Sequence, residues 1–441
     1  MPTVSVPLST ADRAALACGA LALGTLAAVL GGVPVPAWPG LALVVGGLAG
    51  AAALVLPRYR ARPSGVAMDG TMHASATARG VVAWAMAALL TGYYVATYWY
   101  PALLAPLVRL FDPLSQTMRG RASDVWFVYG SFYTLAVVAM GARALVKYRG
   151  QPYHRYRTVS VMAFQALAAW ALPALLVRLR HPELYFTYTW PLDYDFLFPQ
   201  NLAMLRESGT LGLFALVWGV LLLVVATPVL TYFFGKRWYC AWVCGCGGLA
   251  ETAGDPYRHL ADPSLKAWKI ERWTIHGILV LITAVTALVW LRATTGFGGA
   301  VADEAAKGYG FWIGALFSGV VGVGFYPLLG ARVWCRFGCP MAAILGLQQR
   351  FFSRFRITVN SGACISCGNC TTYCEMGIDV RHYAQRGQNV VRAACVGCGA
   401  CATVCPRGVL RLENGPGARM AERVGPGAFV PEDALTILDA P

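Results

Sequence analysis

The sequence predicts an all-α polytopic membrane bundle of about eight transmembrane helices, followed by a small cysteine-rich α+β domain near its C-terminal end. Three observations predict it. Of the 441 residues, 57% are hydrophobic and only 13% charged, whereas a soluble chain carries roughly a quarter charged residues. Apolar stretches recur along the chain as far as Gly330, and from Asn360 they stop. Of the 14 cysteines, eight crowd between Cys364 and Cys405 in two runs of matched spacing.

A bilayer core of about 30 Å takes about 20 apolar residues as a helix. That ruler selects 14–31, 41–56, 81–100, 125–146, 159–177, 210–230, 275–294 and 311–330. The first stretch is followed by Gly31, Gly32, Pro34, Pro36 and a second apolar run, a pattern that fits a helical hairpin better than a cleaved signal peptide. The second stretch is short and rich in Gly and Ala, a composition suited to close helix packing. Pro101 to Asp124 carries scattered charges and reads as an interfacial helix.

The net charge of +15 is read as Lys and Arg at cytoplasmic helix ends, which sets nucleic acid aside as a partner. Arg58, Arg60 and Arg62 follow the second span, and Lys147, Arg149, Arg155 and Arg157 the fourth. Lys236, Arg237, Arg258, Lys266, Lys269 and Arg272 follow the sixth, and Arg332, Arg336, Arg350, Arg354 and Arg356 the eighth. The positive-inside rule then places both termini and the cysteine-rich domain in the cytoplasm, with the bundle in the inner (cytoplasmic) membrane and lipid around it.

The two runs are Cys364-x2-Cys367-x2-Cys370-x3-Cys374 and Cys395-x2-Cys398-x2-Cys401-x3-Cys405-Pro406. A cubane takes four thiolates, three from one loop and a fourth from elsewhere; in the bacterial two-cluster arrangement the last cysteine of each run serves the other cluster. The domain at 360–412 is therefore expected to be ferredoxin-like with two [4Fe–4S] clusters, one on Cys364, Cys367, Cys370 and Cys405, the other on Cys395, Cys398, Cys401 and Cys374. Structural zinc prefers two separated pairs and has no use for this doubled pattern. Gly368, Gly397, Gly399 and Ala400 let backbone N–H groups approach the sulfurs. Glu375 stands where the second run has proline, and its charge is expected to lower the potential of the nearby cluster.

A second repeat lies where the sixth and eighth spans leave the membrane. Residues 235–244 and 330–339 both read Gly-x-Arg-x-aromatic-Cys-x-aromatic-x-Cys. An i, i+4 spacing on a helical turn would point both thiols of each pair the same way. Cys240, Cys244, Cys335 and Cys339 could together hold a third cluster, a zinc ion or two reducible disulfides, with a third [4Fe–4S] cluster preferred. Cys246 is a fifth metal-binding candidate, and Cys18 reads as core of the first span. The six histidines supply no pair deep inside the spans for a haem. The loop from Arg180 to Ser208 mixes Tyr185, Phe186, Tyr188, Trp190, Tyr194, Phe196 and Phe198 with Glu183, Asp193 and Asp195. It reads first as an interfacial aromatic belt, and second as a quinone-head pocket whose carboxylates release protons.

Over roughly 210–412 these motifs resemble the NosR/NapH/CcoG group of membrane polyferredoxins, closest in plan to NapH. The first exit motif departs from that group, continuing Cys244-Gly245-Cys246 where the second has Cys339-Pro340. The resemblance implies an electron-transfer protein acting between the quinone pool or a cytoplasmic donor and a partner oxidoreductase or carrier subunit. A second function, in which the exit cysteines bind and reduce copper for the assembly of another enzyme, uses the same parts. The expected organisation is residues 1–200 as N-terminal spans, 201–359 as spans bearing the exit motifs, 360–412 as the ferredoxin-like domain and 413–441 as an extended tail.

Overall fold

A computed structural model of the protein describes residues 9–60, 64–65, 77–235 and 237–414. Arg62, Lys236 and the expected tail beyond Asn414 lie outside the described residues.

Among the described residues seven helices are long and apolar enough to cross a membrane. They are α1 (Thr10–Leu30), α2 (Ala37–Pro57 as a span), α3 (Val81–Trp99), α4 (Val125–Lys147), α5 (Pro152–Arg178), α6 (Gly209–Phe234) and α7 (Leu265–Thr295). The eighth expected span, 311–330, differs. An α-helix, α8 (Gly299–Tyr309), runs on as a π-type stretch over Gly310–Val321 and then gives way to turns before the four-residue helix Tyr326–Leu329. Asp303, Glu304 and Lys307 occupy its first half, and this polar start keeps it out of the apolar set. Another π-type stretch, Phe164–Ala171, interrupts α5. Such stretches widen the helix where packing demands it.

The chain divides into two compact units, one of residues up to Gly65 with Val95–Glu183, the other of Val66–Tyr94 with the chain from Leu184 onward. In the first, Ser9 and Asp12 form a capping box that starts α1. A Cβ on Gly47 of α2 would lie 2.8 Å from the Cys18 carbonyl and 2.9 Å from the Ala22 side chain. Small residues thus set the close approach of α1 and α2, with Cys18 in that contact. The segment after α3 is not one interfacial helix but three short pieces, Pro101–Leu104, Ala105–Leu110 and Asp112–Arg119.

The second unit holds α6, α7, α8 and the ferredoxin-like domain. That domain opens on β1 (Phe355–Val359), five residues ahead of Asn360, and closes on β2 (Leu410–Asn414). The two strands pair antiparallel with Ile357 opposite Leu412. A helix α9 (Pro340–Phe352) leads from the second exit motif into β1.

Gly235, which ends α6, has φ 59° and ψ −173°, and Gly330 at the same place in the repeat has φ 89° and ψ 168°. Only glycine occupies this region at low cost. A Cβ on Gly235 would also collide with Phe355 and the Ser353 hydroxyl. Gly235→Ala is expected to destabilise the protein by roughly 1–3 kcal/mol or more, read as a lower thermal unfolding midpoint in detergent. An unchanged midpoint would disprove the tight junction between α6 and β1.

Candidate metal centres

The ferredoxin-like domain is built on a doubled loop. Ser366 and Gly397, Gly368 and Gly399, and Gly377 and Gly408 occupy matching places in the two halves, and all six have positive φ. These turns bring backbone N–H groups towards sulfur. The Ile378 amide donates to Cys374 Sγ at 3.4 Å, and the Val409 amide to Cys405 Sγ at 3.4 Å. Such bonds favour the reduced, more negative cluster and so raise its potential.

Two cavities divide the eight cysteines. Cys364, Cys367, Cys370 and Cys405 line one, and Cys374, Cys395, Cys398 and Cys401 line the other. The last cysteine of each run therefore stands with the first three of the other run. Burial pushes the Cys370 thiol up to about 11 and Cys374 up to about 12. Such thiols give up their protons on ligating a metal. Donor set, enclosing shape and amide donors all fit a thiolate-bound cluster at each cavity. The first cavity faces outward, with Cys367 exposed, while the second lies inward, where Arg258 Nη1 is 3.7 Å from Cys398 Sγ.

The exit motifs do not point away from the bundle; they fold back into it. Trp238 Nε1 donates to the Thr227 carbonyl of α6 at 3.4 Å, and Trp334 packs edge-on to Phe317 of the π-type stretch at 5.7 Å between centroids. Cys240, Cys244, Cys335 and Cys339 are all buried. Cys339 interacts electrostatically with Cys240, Cys335 and Cys244, and Cys240 with Cys335 and Cys244, so the two pairs converge. Burial raises all four thiols; for Cys244 the side chain of Cys246 contributes most.

The expected i, i+4 geometry on one helix is not what aligns them. Cys240 and Cys335 sit inside short helical turns, Trp238–Trp242 and Trp334–Gly338. Cys244 (φ −64°, ψ 130°) and Cys339 (φ −79°, ψ 115°) are extended N-caps of the next helices, Gly245–Thr252 and α9. The backbone amides of Gly247 and Ala342, each three residues on, act to lower the Cys244 and Cys339 thiols against burial, though neither sulfur makes a capping hydrogen bond. A helix N-terminus favours a thiolate in this position. Gly245 in place of Pro340 leaves the cap unchanged. Among the described residues no three His, Cys, Asp or Glu side chains converge as for a single metal ion. Sulfurs on separate irons of a cubane stand farther apart than ligands of one ion.

The repeat carries a reciprocal arginine lock. Arg237 Nη1 donates to the Cys335 carbonyl at 2.6 Å, and Arg332 Nη1 to the Cys240 carbonyl at 3.3 Å. Both guanidiniums also act on the Cys240 and Cys335 thiols. Arg237 Nε reaches the Ala393 carbonyl of the ferredoxin-like domain at 2.8 Å. Arg332 bridges Glu251 at 3.2 Å and Glu375 at 3.4 Å, and Arg258 bridges Asp255 at 3.1 Å and Glu375 at 3.3 Å. Glu375 is thus a buried, doubly paired anchor rather than a free charge beside its cluster, which removes the basis for the expected lowering of potential. Sequence reasoning missed Glu251, Asp255 and Glu271, and counted Arg336 only as a loop charge. Arg336 bonds Glu271 at 2.8 Å. The available signal was a cluster of charges directly following apolar cysteine motifs.

The aromatic loop also departs from the first expectation. Trp218 and Gly219, midway along α6, bond the Phe186 carbonyl and the Thr189 hydroxyl at 2.9 Å each, and Trp190 Nε1 bonds Thr286 of α7 at 3.1 Å. Tyr239 of the first exit motif donates to the Thr187 carbonyl, and Leu192 packs against the exit-cysteine core. The loop folds back between helices as a re-entrant segment. Burial, with Asp195 beside it, pushes the Asp193 carboxyl up to about 7.

Comparison with known proteins matches the same regions. Residues 363–410 match the 4Fe-4S dicluster domain family. The 4Fe-4S binding domain family matches twice, at 216–262 and 310–358, each time across one exit motif. A relative from Escherichia coli (strain K12), YccM, assigned by inference to electron transport, is 28% identical over 172 residues, 36% of this chain and 47% of its own. The chain thus spans about half the length of that curated relative. No solved structure matches. The protein is a largely helical chain with apolar helices of membrane-crossing length, and both of its cysteine repeats match 4Fe–4S binding families.

Proposed function

We propose that the protein is a membrane-bound iron–sulfur electron-transfer subunit, passing electrons between the quinone pool or a cytoplasmic donor and a partner oxidoreductase. The two cavities would hold [4Fe–4S] clusters with crossed ligation, and Cys240, Cys244, Cys335 and Cys339 a third, with Cys246 the nearest substitute ligand. These clusters supply one-electron redox chemistry when bound. The ferredoxin-like domain would face the cytoplasm, on the side where Lys and Arg accumulate.

One observation carries the reading: a single guanidinium, Arg332, touches the Cys240 carbonyl and Glu375, the residue after Cys374. The exit cysteines and the inner cavity are therefore neighbours, and the outer cavity opens to solvent through Cys367. The order bundle, inner site, outer site, partner follows. Arg237 and Arg332 offset thiolate charge where an unpaired charge is expensive. The re-entrant loop places Asp193 and Asp195 on the bundle side, where a quinol would release protons.

Iron and sulfide analysis of anaerobically purified protein tests it. About 12 iron atoms per chain are expected, against about 8 for two clusters with free exit thiols. Copper or zinc recovered in stoichiometric amount with about 8 iron would instead favour metal handling. Reduction of the clusters by a quinol, followed by EPR, tests the donor.

A further inference from the structure

A cavity of about 510 Å³ opens beside the exit site, between the start of α7, α9 and the ferredoxin-like domain. Four arginines line it, Arg237, Arg272, Arg350 and Arg392, against one carboxylate, Glu271. Glu271 is already held by Arg336, so it leaves the arginines uncompensated. Arg237 is buried, spends Nε and Nη1 on two carbonyls, and turns Nη2 towards Gly346, which also lines the cavity. Arg272 and Arg392 lie over Trp268 at 5.3 Å and 4.8 Å. That ring neutralises neither charge and fixes both near the cavity. No carboxylate among the described residues pairs with Arg272, Arg350 or Arg392.

The mouth is apolar. Trp273, which lines the cavity, is 82% exposed, and Leu347 and Phe351, each next along α9 to the lining residues Gly346 and Arg350, are 40% and 68% exposed. A cationic hollow bordered by exposed apolar side chains, at the end of a membrane-length helix, matches a ligand with a phosphate head and hydrocarbon tails. We propose that this cavity binds the phosphodiester headgroup of an anionic phospholipid, its acyl chains lying along Trp273, Leu347 and Phe351. Basic pockets between membrane helices recognise headgroups in this way. Its walls come from α7, α9 and the ferredoxin-like domain, so a bound headgroup clamps the domain on the helices beside the exit cysteines. The site does not depend on the electron-transfer reading.

The test compares lipid retained through purification in mild detergent, measured by native mass spectrometry of the full chain. The wild type is expected to keep about one phosphatidylglycerol or cardiolipin. Replacing Arg272, Arg350 and Arg392 together by Gln should weaken binding on the order of a hundred-fold, at the usual contribution of each basic residue. Arg292→Gln, at the other end of α7 from the cavity, should retain the lipid. Unchanged cluster absorbance guards against misfolding, and the matching triple Lys variant should restore retention. A triple Lys variant as depleted as the triple Gln variant would assign the arginines to packing and overturn the proposal. Equal retention by the triple Gln variant and the wild type, or recovery of quinone in place of lipid, would overturn it too. Displacement of the lipid by inorganic phosphate alone would make this a soluble phosphate site and also end the lipid assignment.

Discussion

Cys405→Ser is expected to abolish the cluster associated with Cys364, Cys367 and Cys370 and to spare the one associated with its own run. In sequence Cys405 belongs with Cys395, Cys398 and Cys401, yet it lines the cavity of the first run, where Val409 donates to its sulfur. Cys374 stays with the second cavity under its own amide donor from Ile378. Iron should fall by about 4 atoms per chain, since a cubane that loses a thiolate in a site facing solvent is prone to lose its iron. EPR of the reduced variant should lose the signal of the outward cluster alone. Cys374→Ser should do the converse, and because that site lies against Arg258 and Glu375 it should also slow reduction of the remaining head cluster from the bundle. Loss of the inner signal in Cys405→Ser would refute crossed ligation and the order of sites built on it.

The parts that were legible in the sequence are those that repeat or run long. The two cysteine runs name their cavities because spacing in a tight loop leaves few geometries. The exit motifs announce themselves as a pair because Gly235 and Gly330, Arg237 and Arg332 and four cysteines recur at equal offsets, and each of these does the same job in both copies. Three features were not legible for physical reasons. The re-entrant loop has the Trp, Tyr and Asp composition of an interfacial belt, and only tertiary bonds from Trp218, Thr286 and Tyr239 show it inserted between helices. The helix α8 starts at Gly299 and carries Asp303, Glu304 and Lys307 ahead of the expected 311–330, so a hydropathy window misplaces its start. The alignment of the cysteine pairs rests on helix N-caps, and a spacing of four fits a helical turn and a turn-plus-cap equally well. Glu375 illustrates the same limit in electrostatics: proximity to Cys374 along the chain says nothing of the two arginines that arrive from distant loops.

Those arginines define the other large effect. Arg332→Met is expected to destabilise the protein by roughly 3–5 kcal/mol, the range for removing one partner of a buried ion pair. Arg332 is fully buried between Glu251 and Glu375 and also donates to the Cys240 carbonyl. Its loss takes a buried positive charge from both Glu251 and Glu375, and Glu375 keeps Arg258 at 3.3 Å. Adding Glu251→Gln should recover part of the stability, a coupling that a double-mutant cycle measures. Arg332→Lys should recover less, because one ammonium cannot span two carboxylates and a carbonyl as a planar guanidinium does. The functional cost should exceed the thermal one. With the bridge gone, the ferredoxin-like domain should be released earlier by limited proteolysis near Ser353, and electrons entering through the bundle should reach its clusters slowly even when both are fully assembled. A stability within about 0.5 kcal/mol of wild type, the usual span for surface substitutions, would show that Arg332 is dispensable to docking and would leave Arg237 and Arg258 to hold the domain over the exit site.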